Sequence, residues 1–186
     1  MMDITVLWLP IVVASVAVFV LSSIVNMAMP WHKKDYPALP DQDRVLDALR
    51  PFNLMPGDYV VPRPATRSEF NTPEFTAKLE RGPVLVLTVA PNGRSNMGLT
   101  MGEWFVYLLV VNCLVALVAL PAVHSATEQG RIMHFVGLAS FLAYVVALWQ
   151  MSIWFRRAWR TTIWLTVDGL IYGIATGLIF CWLWPR

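Results

Sequence analysis

The sequence predicts an all-α transmembrane protein, a four-helix membrane bundle with a small α+β cytoplasmic loop domain between helices one and two. Four apolar runs each reach the roughly 20 residues that cross a ~30 Å hydrocarbon core. Of the 186 residues, 57% are hydrophobic and only 14% are charged, whereas soluble domains carry about 25% charged residues. The runs also lack the alternating polar face of soluble helices. They are Ile4–Met29, Gly102–Val123, Ile132–Phe155 and Thr161–Trp184.

The first run predicts a retained transmembrane helix at residues 1–29 rather than a signal peptide. Its start carries Asp3 and neither Lys nor Arg. The run is longer than the apolar core of a signal peptide, and no small-residue cleavage site stands out before Pro30. Residues 30–101 then form the membrane-associated α+β loop domain, and residues 102–186 contain transmembrane helices two to four.

The loop domain shows the order helix, strand, helix, strand. A capped apolar stripe predicts a helix over residues 41–50, and an apolar run between prolines predicts a strand over 58–61. A second helix begins at Pro73 and ends at Gly82, and residues 84–89 give the strongest strand signal of the chain. The nine basic and eight acidic residues of the loop nearly cancel, so we predict no polybasic lipid-binding patch in it.

Basic residues predict the orientation of the helices. Arg156, Arg157 and Arg160 lie in the tight turn between helices three and four, and short Arg-rich turns face the cytoplasm. The turn 124–131 has one Arg against one Glu and is therefore predicted to lie outside. Both termini then face outward, and the loop domain and the turn 156–160 are cytoplasmic. Most tryptophans fall near the predicted helix ends, where the membrane–water interface favours an amphipathic ring.

One acidic residue, Asp168, lies well inside an apolar run, where a charge is costly and normally faces the bundle interior or a water-filled cavity. Three neutral polar residues, Asn26, Gln150 and Thr166, fall near the same predicted membrane face. Together they predict a candidate intramembrane polar site for an ion or a proton. The alternative is structural: Asp168 is neutral, or pairs with Gln150 or an arginine of the turn, and locks helices together.

Small residues recur at four-residue spacing on helices three and four. Such stripes form a groove that lets another backbone approach closely. Two stripes joined by a short turn favour an antiparallel hairpin packed on itself. The alternative is that the glycine face receives a helix from another protein. The helix-packing residues are Gly169, Gly173 and Gly177 on helix four, and Ala139, Ala143 and Ala147 on helix three.

Metal and catalytic motifs are weak or missing in the sequence. Met27, Met29 and His32 offer the thioether and imidazole groups that bind copper, but a helix end explains these residues without a metal. In the predicted topology His124 and His134 lie on the other side of the membrane from His32, and two ligands do not close a site. The sequence contains no Gly-x-Ser-x-Gly, His-Glu-x-x-His or phosphate-binding glycine loop. We therefore predict neither a metal nor a cofactor.

A set of short motifs runs along the chain. They are Ser22-Ser-Ile24, Met29-Pro-Trp-His32, Asp35-Tyr36, Leu39-Pro-Asp41, Pro56-Gly-Asp-Tyr59, Gly82-Pro83, Asp168-Gly-Leu-Ile-Tyr172 and the closing Trp-Leu-Trp-Pro-Arg186. Through these motifs the chain resembles a family of small four-helix bacterial inner-membrane proteins with no known activity. The resemblance covers nearly the whole length and implies a bacterial cell membrane, but it implies no activity and no functional residues.

Three functional hypotheses follow. The first is a non-catalytic accessory or scaffold subunit of a larger bacterial membrane complex, with the lipid bilayer and other membrane subunits, or further copies of the chain, as partners. The second is a small oligomeric ion- or proton-coupled transporter or channel that uses Asp168. The third, which has the least support, is a membrane enzyme that uses His32, Asp35 and Tyr36. We favour the first because no reaction motif is visible, and the net charge of +2 does not indicate nucleic-acid binding.

Overall fold

The structure is a computed structural model that describes residues 3–123 and 129–185. It is mostly helical, and four of its helices are long and apolar enough to cross a membrane, with mean hydropathies of 2.7, 2.0, 1.9 and 1.7 in chain order. A small two-stranded sheet with short helices lies between the first and second span. The predicted architecture, four membrane helices with a small α+β unit between the first two, is therefore confirmed. The spans are Ile4–Ala28, Met97–Ala119, Gln129–Trp154 and Trp159–Leu183.

The elements follow one another in the order that local sequence signals predict. The first span is a short 3₁₀ turn followed by α1, and the third span contains two helices, α5 and α6. The helices are α1 (Trp8–Ala28), α2 (Gln42–Leu49), α3 (Pro73–Arg81), α4 (Met97–Ala119), α5 (Gln129–Val145), α6 (Trp149–Trp154) and α7 (Trp159–Leu183), and the strands are β1 (Gly57–Val61) and β2 (Leu85–Val89).

The four spans form a ring in which α1 and α5 each pack against both α4 and α7. Neighbouring helices are antiparallel: the Trp104 indole N–H, near the start of α4, donates to Ser22 Oγ, near the end of α1, over 2.9 Å. Helices α4 and α7 therefore occupy diagonal corners. The end of the bundle that contains Ala28, Met97 and Trp159 is called the loop end below, and the opposite end is the far end.

Apolar side chains from every span fill the interior of the bundle. Leu7, Val18, Leu108, Val136 and Phe180 are all fully buried. The outward faces are apolar as well, as expected of helices whose solvent is lipid. Lipid tails are as apolar as leucine, so burial of such side chains gives little driving force between helices, and other contacts must hold them together.

The third span is interrupted, although its apolar run in the sequence is continuous. Helix α5 ends at Val145, whose backbone lies at φ −125° and ψ −48°; a 3₁₀ turn over Val146–Leu148 follows, and α6 resumes at Trp149. Val145 packs directly on Gly169 of α7, where a Cβ would overlap Val145 Cγ2. No proline or glycine marks the break in the sequence.

Residues 38–94 form a compact unit separate from the bundle. Strands β1 and β2 pair antiparallel, with Gly57 opposite Val89 and Val61 opposite Leu85. Both helices carry side-chain caps, because Asp41 accepts a hydrogen bond from the Arg44 N–H at the start of α2, and Thr72 accepts one from the Phe75 N–H at the start of α3. Such caps contribute about 1 kcal/mol each.

This unit has very little apolar core of its own. Across residues 38–94, the one buried hydrophobic side chain is Phe75, which is 2% exposed and packs against the ring of Phe70 at 5.8 Å between centroids. Many large apolar side chains of the unit stay exposed, among them Leu39, Phe52 and Met55.

Candidate functional site

The short segment after α1 places a histidine and an aspartate side by side. Met29 is extended, and Pro30 starts a 3₁₀ turn over Pro30–Lys34; proline suits this first position because it has no N–H to satisfy. The turn closes with the Asp35 N–H donating to the His32 carbonyl over 3.0 Å. The side chains of His32 and Asp35 therefore lie on one face of the turn.

His32 bridges two carboxylates, one from its own segment and one from α7. Its Nδ1 lies 2.7 Å from Asp35 Oδ2, and its Nε2 lies 2.8 Å from Asp168 Oδ2. The side chains of His32, Asp35 and Asp168 are 11%, 5% and 3% exposed. A carboxylate can only accept hydrogen bonds, so this geometry suits an imidazolium whose two N–H groups both donate. We call these three residues the His32 triad.

The electrostatics of the His32 triad favour a proton on the ring. Burial lowers the pKa of His32, but the hydrogen bonds to Asp35 and Asp168 and the charges of both outweigh burial, so the pKa lies above its ordinary value of 6.5. Asp35 Oδ1 and Asp168 Oδ1 are also buried and have no hydrogen-bond partner among the described residues. Chemically, the triad can hold a proton between two buried carboxylates, and it joins two distant parts of the chain.

Aromatic and basic residues hold the same segment on α7. The Trp31 indole stacks on Trp164 at 5.3 Å between centroids and 14° between planes. Arg160 Nη2 donates to the Trp31 carbonyl over 3.4 Å, and Arg157 Nη2 donates to the Tyr36 hydroxyl over 3.0 Å. The segment from Trp31 to Tyr36 is therefore fixed to the start of α7 by stacking, by hydrogen bonds and by the His32 triad.

The four residues of the sequence-predicted polar site do not meet one another. Asp168 contacts His32, a different partner from the Gln150 or turn arginine that the sequence suggests. Asn26 donates to the carbonyl of Ser22 on its own helix over 2.8 Å. Thr166 donates to the Thr162 carbonyl and accepts from the Trp149 indole N–H over 3.1 Å. Gln150 is exposed.

The glycine stripe of α7 faces α5 inside the molecule. A Cβ on Gly173 would lie 2.9 Å from the Gly137 carbonyl oxygen, and one on Gly177 would lie 2.6 Å from Met133 Sδ. Together with Gly169 against Val145, these contacts run along the whole α5–α7 interface.

The alanine stripe of α5 does not supply the opposing surface. Ala139 is half-buried, whereas Ala143 and Ala147 are exposed. The residues of α5 that meet Gly173 are Gly137 and Phe141, each two positions before an alanine of the stripe.

A second polar cluster lies deeper in the bundle, and the sequence analysis did not predict it. Asn112 of α4 is fully buried and donates from Nδ2 to Ser15 Oγ of α1 over 3.0 Å. Tyr144 of α5 and Thr176 of α7 are also buried, and the Tyr144 ring makes an edge contact with the Tyr172 ring at 5.8 Å between centroids. A lone Asn inside an apolar run was the one signal that could have indicated this cluster.

The three weak metal candidates do not converge. Met27 is 81% exposed, Met29 is half-buried, and both ring nitrogens of His32 are engaged by carboxylates. Within residues 3–123 and 129–185, no group of three His, Cys, Asp or Glu side chains could hold a metal ion. His134 is exposed, and His124 lies outside the described residues.

Comparisons with known proteins do not assign the chain to a family. The chain matches no protein-family model, no curated protein and no solved structure. The functional conclusion therefore rests on a multi-pass membrane bundle of four spans, on the His32 triad at its loop end, and on an inserted unit with little core.

Proposed function

We propose that the chain is a non-catalytic accessory or scaffold subunit of a larger complex in a bacterial inner membrane. In this proposal the unit at residues 38–94 and the turn at 156–160 lie on the cytoplasmic side and both termini lie outside, because the turn carries three arginines. The resemblance to small bacterial inner-membrane proteins supports the compartment. The bilayer, other membrane subunits and further copies of the chain are the candidate partners.

The observation that carries this proposal is the exposed apolar surface of the inserted unit. Phe75 is its one buried hydrophobic side chain, while Phe52 is 69% and Met55 is 72% exposed. A unit of this size is only marginally stable by itself, and exposed apolar patches mark interaction sites in soluble domains. A partner protein that covers these side chains would supply the missing core.

The His32 triad fits the same role as a fixed joint. It holds the first residues after α1 on α7, so the segment from Trp31 to Tyr36 is anchored to the bundle. On this proposal Asp168 is retained for its contact with His32, since a buried carboxylate and a histidine pair satisfy each other.

Purification from native membranes in mild detergent tests the proposal. We expect a partner in fixed ratio, and the double variant Phe52→Ser/Met55→Ser should lose it. Arg63→Ser is the matched control, because it removes an exposed side chain from the same unit without reducing its apolar surface. The proposal would be contradicted if the wild-type chain, cross-linked in intact membranes and then purified, carried no partner. An equal loss of the partner in the double variant and in the control would also contradict it.

A second candidate function is a small oligomeric proton-coupled transporter or channel. It is supported by the His32 triad together with the buried polar cluster around Asn112 and Tyr144, which lies further inside the same bundle. Asp168→Asn should then abolish proton uptake by reconstituted vesicles, measured with a pH-sensitive dye, while assembly stays intact. Asp43→Asn, an exposed acid in the inserted unit, should leave uptake unchanged. Equal uptake by wild type and Asp168→Asn would exclude this function.

A further inference from the structure

Two basic segments that are far apart in the sequence come together at the loop end of the bundle. The hydrogen bond from Arg157 to Tyr36 joins residues separated by 121 positions, and the one from Arg160 to the Trp31 carbonyl joins residues separated by 129. Lys33 and Lys34 lie within the segment that these contacts hold, and both are exposed. The loop, taken by itself, is nearly neutral, so this concentration of charge arises only from the fold.

We propose that this basic surface binds the phosphate headgroup of an anionic phospholipid in the membrane leaflet at the loop end. The surface, called the basic rim below, consists of Lys33, Lys34, Arg156, Arg157 and Arg160. Clusters of basic residues next to membrane helices attract anionic lipids at about 1 kcal/mol for each Lys or Arg. The inference is independent of the accessory-subunit proposal, because it concerns lipid and not a protein partner.

The carboxylates that contact the segment from Trp31 to Tyr36 do not offset the charge on the exposed side of the rim. Asp35 and Asp168 are the two carboxylates in contact with the same segment, and each is buried and engaged by His32. Glu103, which is exposed, belongs to α4 at the diagonal corner of the ring. The rim therefore presents an excess of positive charge to the lipid headgroups.

The guanidinium groups of the rim retain donors for a phosphate. An arginine side chain has five N–H donors, and Arg157 and Arg160 each use Nη2 for the contacts described above. Arg156 is exposed in the turn between them and the end of α6. Planar guanidinium forks match the geometry of phosphate oxygens, which favours a headgroup over a simple halide ion.

Exposed aromatic rings place the rim at headgroup depth. Trp154 and Trp159 flank the arginines and are 76% and 52% exposed, and Tyr36 is 82% exposed. Tryptophan and tyrosine in such positions sit at the level of the lipid headgroups. The start of α7 adds to the attraction, because its cap residue Ala158 makes no side-chain cap hydrogen bond and the positive end of the helix dipole is there.

The triple variant Lys33→Gln/Lys34→Gln/Arg156→Gln tests the proposal without touching the arginines that hold the segment. Its matched control is Arg63→Gln/Arg81→Gln/Arg94→Gln, which removes the same charge from exposed positions of the inserted unit. Each protein is titrated in detergent with phosphatidylglycerol or with phosphatidylcholine, and the retained lipid is counted by native mass spectrometry.

We expect wild type and control to retain phosphatidylglycerol in preference to phosphatidylcholine. The triple variant should need on the order of 100-fold more phosphatidylglycerol for the same retention, because each of the three cations contributes about five-fold. Equal retention by all three proteins, or no preference for the anionic lipid in wild type, would overturn the proposal. So would full displacement of the lipid by inorganic phosphate at constant ionic strength, because the site would then be one for a small anion.

Discussion

Different interactions stabilise the membrane bundle and the inserted unit at residues 38–94, each taken by itself. In the bundle, backbones approach closely at Gly173 and buried polar side chains pair across helices, as Asn112 does with Ser15. In the inserted unit, one phenylalanine, two capped helices and a two-stranded sheet carry the whole fold. Where lipid is the solvent, apolar burial gives little driving force, so steric fit and polar contacts decide. Where water is the solvent, burial decides, and the inserted unit has little of it.

Loss of the single core side chain should have the largest effect. Phe75→Ala is expected to cost about 3–5 kcal/mol, which is of the order of the whole stability of a small domain. Limited proteolysis should then cut within residues 38–94 of the intact protein, while the thermal unfolding of the bundle stays unchanged. Phe52→Ala, at a ring that is 69% exposed, should resist proteolysis like wild type. An uncut Phe75→Ala protein would show that the unit has another source of stability.

Removal of one member of the His32 triad should be the next largest effect, and it should fall on the bundle. Asp168→Ala removes one of the two carboxylate partners of His32. Breaking a fully buried pair costs about 3–5 kcal/mol, and the 11% exposure of His32 and its remaining contact with Asp35 place the cost at the lower end. Thermal unfolding in detergent measures it. Glu103→Ala, an exposed acid at the same end, should unfold like wild type, and equal melting of both variants would contradict a structural role for the triad.

Overpacking of the glycine face should cost about 1–3 kcal/mol. In Gly173→Leu the new Cβ meets a backbone oxygen of Gly137 at 2.9 Å, which can move only if α5 and α7 separate. Gly102→Leu is the matched control, because nothing lies within 4 Å of a Cβ at that position. A lower melting temperature is expected for Gly173→Leu alone, and an unchanged one would exclude close packing at the stripe.

The smallest expected effect is a pH dependence of the stability of the bundle. The pKa of His32 is raised in the folded protein by Asp35 and Asp168, against the effect of burial. A group with a raised pKa stabilises the fold fully below its unfolded pKa of about 6.5 and loses that contribution as the pH rises through the folded value. The melting temperature of wild type should therefore fall as the pH is raised above 6.5. The dependence of the melting temperature on pH should be weaker in His32→Gln and unchanged in His134→Gln. If His32→Gln kept the pH dependence of wild type, another group would be responsible for it.

The sequence was sufficient for the features that depend on local signals. Hydropathy located the four spans, and caps and prolines located α2 and α3 in the order that the structure shows. The partner of Asp168 could not be predicted, because His32 lies 136 residues away and only the antiparallel ring of helices brings the two together.

The surface of α5 that faces α7 could not be predicted from the sequence either. Alanine spacing indicated Ala143 and Ala147, but the rotation of a helix about its axis is set by all its neighbours, and here α4 and α7 together turn Gly137 towards α7. The break after Val145 has no local marker either, since it arises where that side chain meets Gly169.

The contact between His32 and Asp168 can form only late in the synthesis of the chain. His32 leaves the ribosome 136 residues before Asp168, which takes on the order of ten seconds at roughly 5–20 residues per second. The span that carries Asp168 follows the other three and is the least hydrophobic of the four, with a mean hydropathy of 1.7. Its acidic residue therefore reaches the membrane after the histidine that pairs with it has been made, and the insertion of this span brings the two together and compensates the cost of a carboxylate inside an apolar helix.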